Sequence, residues 1–315
     1  MSTGERRQHI VAALLLLAAL AAWRFSGYAG EDRLGEIAVW AIFAMSLDLL
    51  VGYAGLVSLG HALFFGLGAY AMASLALFLK GSPSLALLAG VATAGLSALA
   101  IGAIVVRLAG VFFIMITLAF GQMGWAYFLR ARAFGGIGGM SGVRQIDLGR
   151  LGLDLANPAD FALIAIIAAA LVYLLLALIT ASPFGRMLVA LHQNEHRARA
   201  LGLPVQRYKL AAFALAGALA GFAGGLQAQR TGFVSPELLV WTTSGEVLIM
   251  VILGGLGTLV GPVAGAAIWV VLRHILSDMT AYWMMAMGLF FIAVVLFAGG
   301  GLMGLARPRA AADDA

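Results

Sequence analysis

Long apolar runs recur along this chain with little between them, near residues 35–51, 62–79, 84–106, 109–130, 160–181, 208–228, 243–260, 262–277 and 281–300. A helix needs roughly 20 consecutive apolar residues to cross the hydrocarbon core of a bilayer. Only helices and closed barrels satisfy every backbone polar group there. Continuous rather than alternating apolar runs select helices. Ile10 to Trp23 adds a further run. It reads either as a secretory signal, with Ala19-Leu20-Ala21 as a small-x-small site, or as a retained first span reaching about Tyr28 with Arg24 snorkelling to the interface. The retained span is the preferred reading. The expectation is an all-α polytopic membrane protein of about ten helices, one transmembrane domain over residues 1–315.

Composition agrees and removes several function classes. The chain is 63% hydrophobic and 10% charged, whereas soluble domains carry about a quarter charged residues. Its net charge of +5 comes from loop arginines, without the basic, aromatic-interleaved patch that nucleic-acid binding needs. The absence of cysteine excludes disulfides, thiolate metal sites and a Cys nucleophile. Neither Lys80 nor Lys209 follows a glycine, so no GxxxxGK[ST] phosphate loop exists. No HExxH or GxSxG motif supports an embedded enzyme. His192 and His196 stand four apart but lack an evident third metal ligand, so solvated loop positions are the preferred reading and no metal site is expected.

Two stretches break the apolar pattern. Ser182 to Lys209, SPFGRMLVALHQNEHRARALGLPVQRYK, holds five of the nineteen Lys and Arg residues. Ser182 caps a helix, Pro183 suits its first position, and Gly202 with Pro204 stops it. One helix of about 18 residues is predicted between them, apolar at Phe184, Leu188, Leu191, Ala198 and Leu201. It is too polar to span and fits a membrane-surface element offered to a soluble partner. Gly52 to Tyr70, GYAGLVSLGHALFFGLGAY, puts five glycines with Ser58 and His61 at membrane depth. Each Gly costs about 1 kcal/mol against Ala in a helix, so an interrupted helix is predicted, of the kind that builds solute sites in transporters. Asp48, just upstream, should face the protein interior, with His61 as the nearest partner in sequence. Gly217, Gly221 and Gly225, and again Gly257, Gly261 and Gly265, predict two helix stripes for close packing.

These stretches carry a family resemblance. Asn194-Glu195, then Arg199-Ala200-Leu201-Gly202, then Tyr208-Lys209-Leu210 resemble the cytoplasmic coupling loop of ABC importer permeases. The general Glu-Ala-Ala form is not matched: His196-Arg197 follow the Glu, and the Gly comes seven residues after it. The match is to the version in the branched-chain amino acid permeases. Gly52 to Tyr70 is similar to the G-Y-x-G-x-x-S-x-G-[HQ]-A-x-F-F-G-x-G-A-Y hallmark of their M-type subunit, and Gly232 to Glu237 and Gly245 to Ala266 also resemble the family.

The resemblance implies the type II-like ABC importer permease fold and an ATP-driven importer of branched-chain or other amino acids, or of related solutes such as urea and amides. It implies ATPase coupling through a cytoplasmic segment, 182–207, with Arg186, Asn194, Glu195, Arg199 and Gly202, Glu195 sitting in an ATPase groove. It implies a substrate pathway among Asp48, Tyr53, Ser58, His61, Phe64, Phe65, Tyr70 and Glu246, although Glu246 reads equally well as an interfacial carboxylate. The implied partners are a homologous permease subunit, most simply as a heterodimer, two cytoplasmic ATPase subunits that bind ATP and Mg, an extracytoplasmic solute-binding protein and membrane lipid. The implied location is the bacterial inner membrane. An even number of spans places both termini on one side. With that side cytoplasmic, ten Lys/Arg fall inside and nine outside, and the Gly-rich segment 131–160 becomes an outer loop. The alternative is an ion-coupled secondary transporter, for which Asp48 is the one deep titratable candidate.

Overall fold

The computed structural model describes residues 3–25, 27–78, 82–148, 153–297 and 301–302. Lys80, Arg150, Arg307 and Arg309, which enter the charge tally, lie outside the described residues. The helices run α1 Thr3–Phe25, α2 Tyr28–Asp48 (extended by a π-helical turn, Leu49–Tyr53), α3 Ala62–Phe78, α4 Pro83–Val105, α5 Val111–Arg130, α6 Pro158–Ala181, α7 Pro183–Gln193, α8 Glu195–Ala200, α9 Val205–Thr231, α10 Trp241–Gly254, α11 Val260–Met279 and α12 Trp283–Phe297. Among the described residues, α2, α4, α5, α6, α9 and α11 are long and apolar enough to cross a membrane, and α1, α3, α10 and α12 are shorter apolar helices. This is a multi-pass membrane protein. Leu88, Leu96, Phe112, Met115, Leu171 and Leu178 stand exposed along α4, α5 and α6, as lipid contact demands.

Most predicted spans match these helices to within a few residues. α1 and α2 instead open at Thr3 and Tyr28, seven residues before the runs at Ile10 and 35–51, so Tyr28 begins α2 and does not end the first span. A further difference is informative. The run near 243–260 forms only α10, which stops at Gly254. Fourteen residues rise about 21 Å, short of the roughly 30 Å hydrocarbon core. The loop after α10 therefore turns inside the protein: Thr258 and Leu259 are 5% and 3% exposed. Gly257 lies in this loop, so Gly257, Gly261 and Gly265 do not form one helix stripe, contrary to the pattern read from sequence. Gly261 and Gly265 instead let α11 run directly against Gly254 and Met250 of α10. The other stripe is realised. Gly217 and Gly221 of α9 seat Ala98 and Ala94 of α4, and Gly221 also meets the Gly68 backbone of α3.

α2 is the central helix, packed by α6, α9, α10 and α11, while α3, α4 and α9 form a second close trio. Outside the helices, β1 (Met140–Ser141) pairs antiparallel with β4 (Phe233–Val234), and β2 (Asp147–Leu148) with β3 (Leu153–Asp154). These two-residue ladders are small exceptions to an all-α chain. They order the Gly-rich segment, as does Gln229 on α9: its Oε1 accepts from the Ile146 N–H at 2.7 Å and its Nε2 donates to the Arg144 carbonyl at 2.9 Å.

Candidate translocation and coupling site

The broken helix is present where its glycines predict it. After the π-helical turn, residues 54–61 leave helical structure and α3 restarts at Ala62. The break leaves backbone donors that need partners inside the protein. The Ser244 hydroxyl on α10 accepts from the Ala62 N–H at 2.9 Å, and Ser58 Oγ from the Gly60 N–H at 3.3 Å.

Asp48 is fully buried, as expected, but its partner is not His61. Its Oδ1 accepts from the Gly257 N–H at 2.8 Å and its Oδ2 from the Leu259 N–H at 3.2 Å. The reason lies in the short α10. The N–H groups of buried Leu259 and half-buried Gly257 need acceptors within the protein, and a carboxylate is the acceptor that can take two of them. Among the described residues, Leu259 is the one non-glycine with left-handed backbone, φ 50°, a conformation that persists only where its surroundings hold it. His61 pairs instead with Ser46. Ser46 Oγ donates to the Phe43 carbonyl at 2.7 Å, so it accepts from His61 Nε2–H at 2.9 Å. His61 Nδ1 is left without a partner, and the ring stacks on Phe43 with centroids 5.4 Å apart.

The other residues expected on the pathway sit in this aromatic core. Phe65 stacks on Phe43, Phe64 meets Phe213 edge-on, and Tyr70 stacks on Phe128. Phe64, Phe65 and Tyr70 are 2%, 1% and 1% exposed, and Ser58 is fully buried. Tyr53 is half-buried at the end of the π-helical turn.

The segment 182–207 differs from the single helix predicted there. Asn194 adopts extended backbone, φ −159° and ψ 95°, which splits α7 from α8. Its Oδ1 accepts from the Arg197 N–H at 2.9 Å, and the acidic Glu195 follows in the first turn. That cap signal was readable in the sequence. Ser182 and Pro183 open α7 as expected, and Gly202 closes α8 with φ +78°. Arg186 is exposed on α7 and donates to the Ala181 carbonyl at 3.4 Å. His192 and His196 fall on separate helices.

Two contacts tie this segment to the membrane helices. His192 Nδ1–H donates to the Gly52 carbonyl at 3.0 Å. Gly52 has no space for a side chain, being pressed against the Gly257 backbone and the Asp48 carboxylate. Glu195 holds both its carboxylate oxygens within the chain: Oε1 accepts from Arg199 at 2.6 Å and Oε2 from Lys209 on α9 at 2.6 Å. Burial pushes the Glu195 carboxyl up, but the bonds and charges of Lys209 and Arg199 outweigh it and hold the group below the usual carboxylate range. A cleft of about 370 Å³ opens between α8, Gly55 and Gly110, with Glu195, His196 and Lys209 on its wall.

Loss of the Asn194 cap should loosen α8. Asn194→Ala is expected to cost about 1 kcal/mol and to speed amide hydrogen exchange over Glu195–Ala200. Unchanged exchange there would show that the cap does not hold the helix.

Sequence reasoning missed a second charged group, at the far end of α2. Glu36, 3% exposed, accepts from Arg230 of α9 at 3.1 Å and from Arg273 of α11. Arg230 also grips Asp32 bidentately at 3.0 and 2.9 Å, and His274 Nε2 stands 3.6 Å from Glu36. The signal was the one that singled out Asp48, a carboxylate within an apolar run. Glu246 sits part-buried on α10 with no hydrogen bond among the described residues, and the charge that bears on it is Arg273.

The family model described as "Branched-chain amino acid transport system / permease component" matches residues 31–298. The chain is 31% identical to the high-affinity branched-chain amino acid transport system permease protein LivM of Escherichia coli strain K12, over 98% of this chain and 77% of that protein. It is 31% identical to the protein of the same name in Salmonella typhimurium, over 94% of this chain and 75% of that protein. A shorter stretch, 33% of this chain and 28% of the relative, is 33% identical to the xylose transport system permease protein XylH of Escherichia coli strain K12. No solved structure matches at a significant level.

Proposed function

Since the chain belongs to the family of branched-chain amino acid transport system permeases, we propose that it is the translocation subunit of an ATP-driven importer of branched-chain or related small amino acids. Its apolar helices are embedded in the bacterial inner membrane, with both termini and the 182–207 segment cytoplasmic. It pairs with a homologous permease subunit, two ATPase subunits that bind ATP and Mg, and an extracytoplasmic solute-binding protein. ATP is hydrolysed on the partners, since this chain has no phosphate loop.

One observation carries the reading: the polar segment is joined rigidly to the broken helix. Nucleotide-driven movement of α7 and α8 passes through His192 to Gly52 and the Asp48-held loop, and through Glu195 and Lys209 to α9. A push on an element with two such attachments reorients whole helices instead of bending a loop. Asp48 also argues against the ion-coupled alternative. It is fully buried, with both oxygens held by backbone donors, and so lacks the access that a cycling proton or sodium site requires.

The test is leucine uptake by proteoliposomes containing the assembled complex and a loaded binding protein. Uptake is expected to require internal ATP and to survive an uncoupler. Uptake that persists without ATP and collapses with the uncoupler would reject the importer reading.

A further inference from the structure

The charged group at the far end of α2 has the composition of a receptor for a zwitterion. Glu36 lies eight residues into α2 and Arg273 six residues before the end of α11, about 9–12 Å inside their helix ends. Ionised groups at such depth face protein or a wet path and mark solute routes by default. The cluster joins α2, α9 and α11, and α10 brings Glu246 to it. Gly254 lies against Gly261, and Gly265 against Met250. That antiparallel register sets Glu246 level with Trp269 and within about one turn of Arg273.

The group is not internally closed. Asp32, Glu36 and Glu246 face Arg230 and Arg273, one negative charge in excess with His274 neutral. Arg230 uses its guanidinium on Asp32 and Glu36, while Arg273 bonds Glu36 alone through one nitrogen. Arg273 is 27% exposed and keeps N–H donors free. Glu246 has no bonded donor among the described residues. Trp269, 3% exposed, holds its indole N–H without a partner. The register thus brings a spare carboxylate to within about one helical turn of spare guanidinium and indole donors, the complement of an ammonium and a carboxylate on one carbon. A purely structural ion cluster would satisfy its own members.

We infer that Glu246 and Arg273, backed by Glu36, form a subsite for the α-ammonium and α-carboxylate of an amino acid at the end of the permease opposite its coupling segment. This rests on the importer reading and names what the passing solute offers the chain. The apolar side chain of the solute is left to the surrounding helices and to the binding protein.

The test measures leucine molecules taken up per ATP hydrolysed, in proteoliposomes with the full complex and its loaded binding protein. Glu246→Gln removes the charge without breaking any ion pair in the structure, and Arg273→Lys keeps a donor for Glu36 while removing the planar fork. Each is expected to lower the ratio by about tenfold or more, the effect of one charge-assisted contact. An unchanged ratio for Glu246→Gln overturns the subsite. So does a fall in thermal stability and uptake together at constant ratio, which would make the cluster a structural clasp. A wild-type complex that takes up no leucine would instead refute the substrate reading, an outcome seen before any variant is made.

Discussion

Asp48→Ala is expected to lower the stability of the folded permease by roughly 2–4 kcal/mol, because it orphans one buried and one half-buried N–H group at about 1–3 kcal/mol each. The donors are those of Leu259, which is buried, and Gly257, which is half-buried in the loop after α10. Part of the loss is offset, since the variant no longer buries a carboxylate. A second cost follows from geometry: Leu259 keeps left-handed backbone at φ 50°, a strain of about 1–3 kcal/mol that needs an anchor. Asp48→Asn retains one acceptor oxygen and should fall between the wild type and Asp48→Ala. Thermal unfolding of the detergent-solubilised protein reads all three. Equal melting of Asp48→Ala and the wild type would mean that the loop is held by packing alone. His61→Ala removes no partner of Asp48 and should leave this loop intact, its cost arising from the aromatic stack on Phe43 and the bond to Ser46.

The contrast between Asp48 and His61 shows where sequence reading works and where it stops. Burial of Asp48 was legible because a lone carboxylate in an apolar run cannot face lipid. Its partners were not, because they are backbone groups more than two hundred positions away, and backbone donors leave no trace in residue types. The short α10 was the missing clue. Gly254, Gly255 and Gly257 end it, although the apolar run continues through them to Val260. The break after Gly52 was legible for the opposite reason: Gly55, Ser58, Gly60 and His61 crowd one short stretch, whereas Gly66 and Gly68 of the same run lie within α3 and serve close packing.

Rotation of a helix about its own axis is harder still. α2 is buried through 89% of its most apolar window, so apolarity on all sides hides the face on which Glu36 meets Arg230 and Arg273. α7 is amphipathic, and its buried side, Leu188 and Leu191, could be read from spacing. The split at Asn194 was legible in principle, since Asn followed by Glu is a helix start.

Glu195→Lys is expected to abolish solute-stimulated ATP hydrolysis and uptake together, and Lys209→Glu should do the same. Either change sets like charges against each other across the α8–α9 contact, where Lys209 is only 5% exposed and the wild-type atoms stand 2.6 Å apart. Breaking a buried pair costs roughly 3–5 kcal/mol, and the 24% exposure of Glu195 places this pair toward the low end. The decisive variant carries both changes. If Glu195 acts by fixing α8 to α9, the exchanged pair restores the contact and should recover uptake by about tenfold or more over either single change. If Glu195 acts solely by touching an ATPase subunit, the double variant stays inactive. A cooperative melting transition above the assay temperature for each protein separates coupling from folding. The pH dependence gives a further check. A carboxylate held below its ordinary range contributes fully above that range and loses the contribution only as pH falls through the lowered value. Coupling in the wild type should therefore stay level from neutral to mildly acidic pH. A loss already complete within the ordinary carboxylate range would show that Lys209 and Arg199 do not hold Glu195 in the working complex.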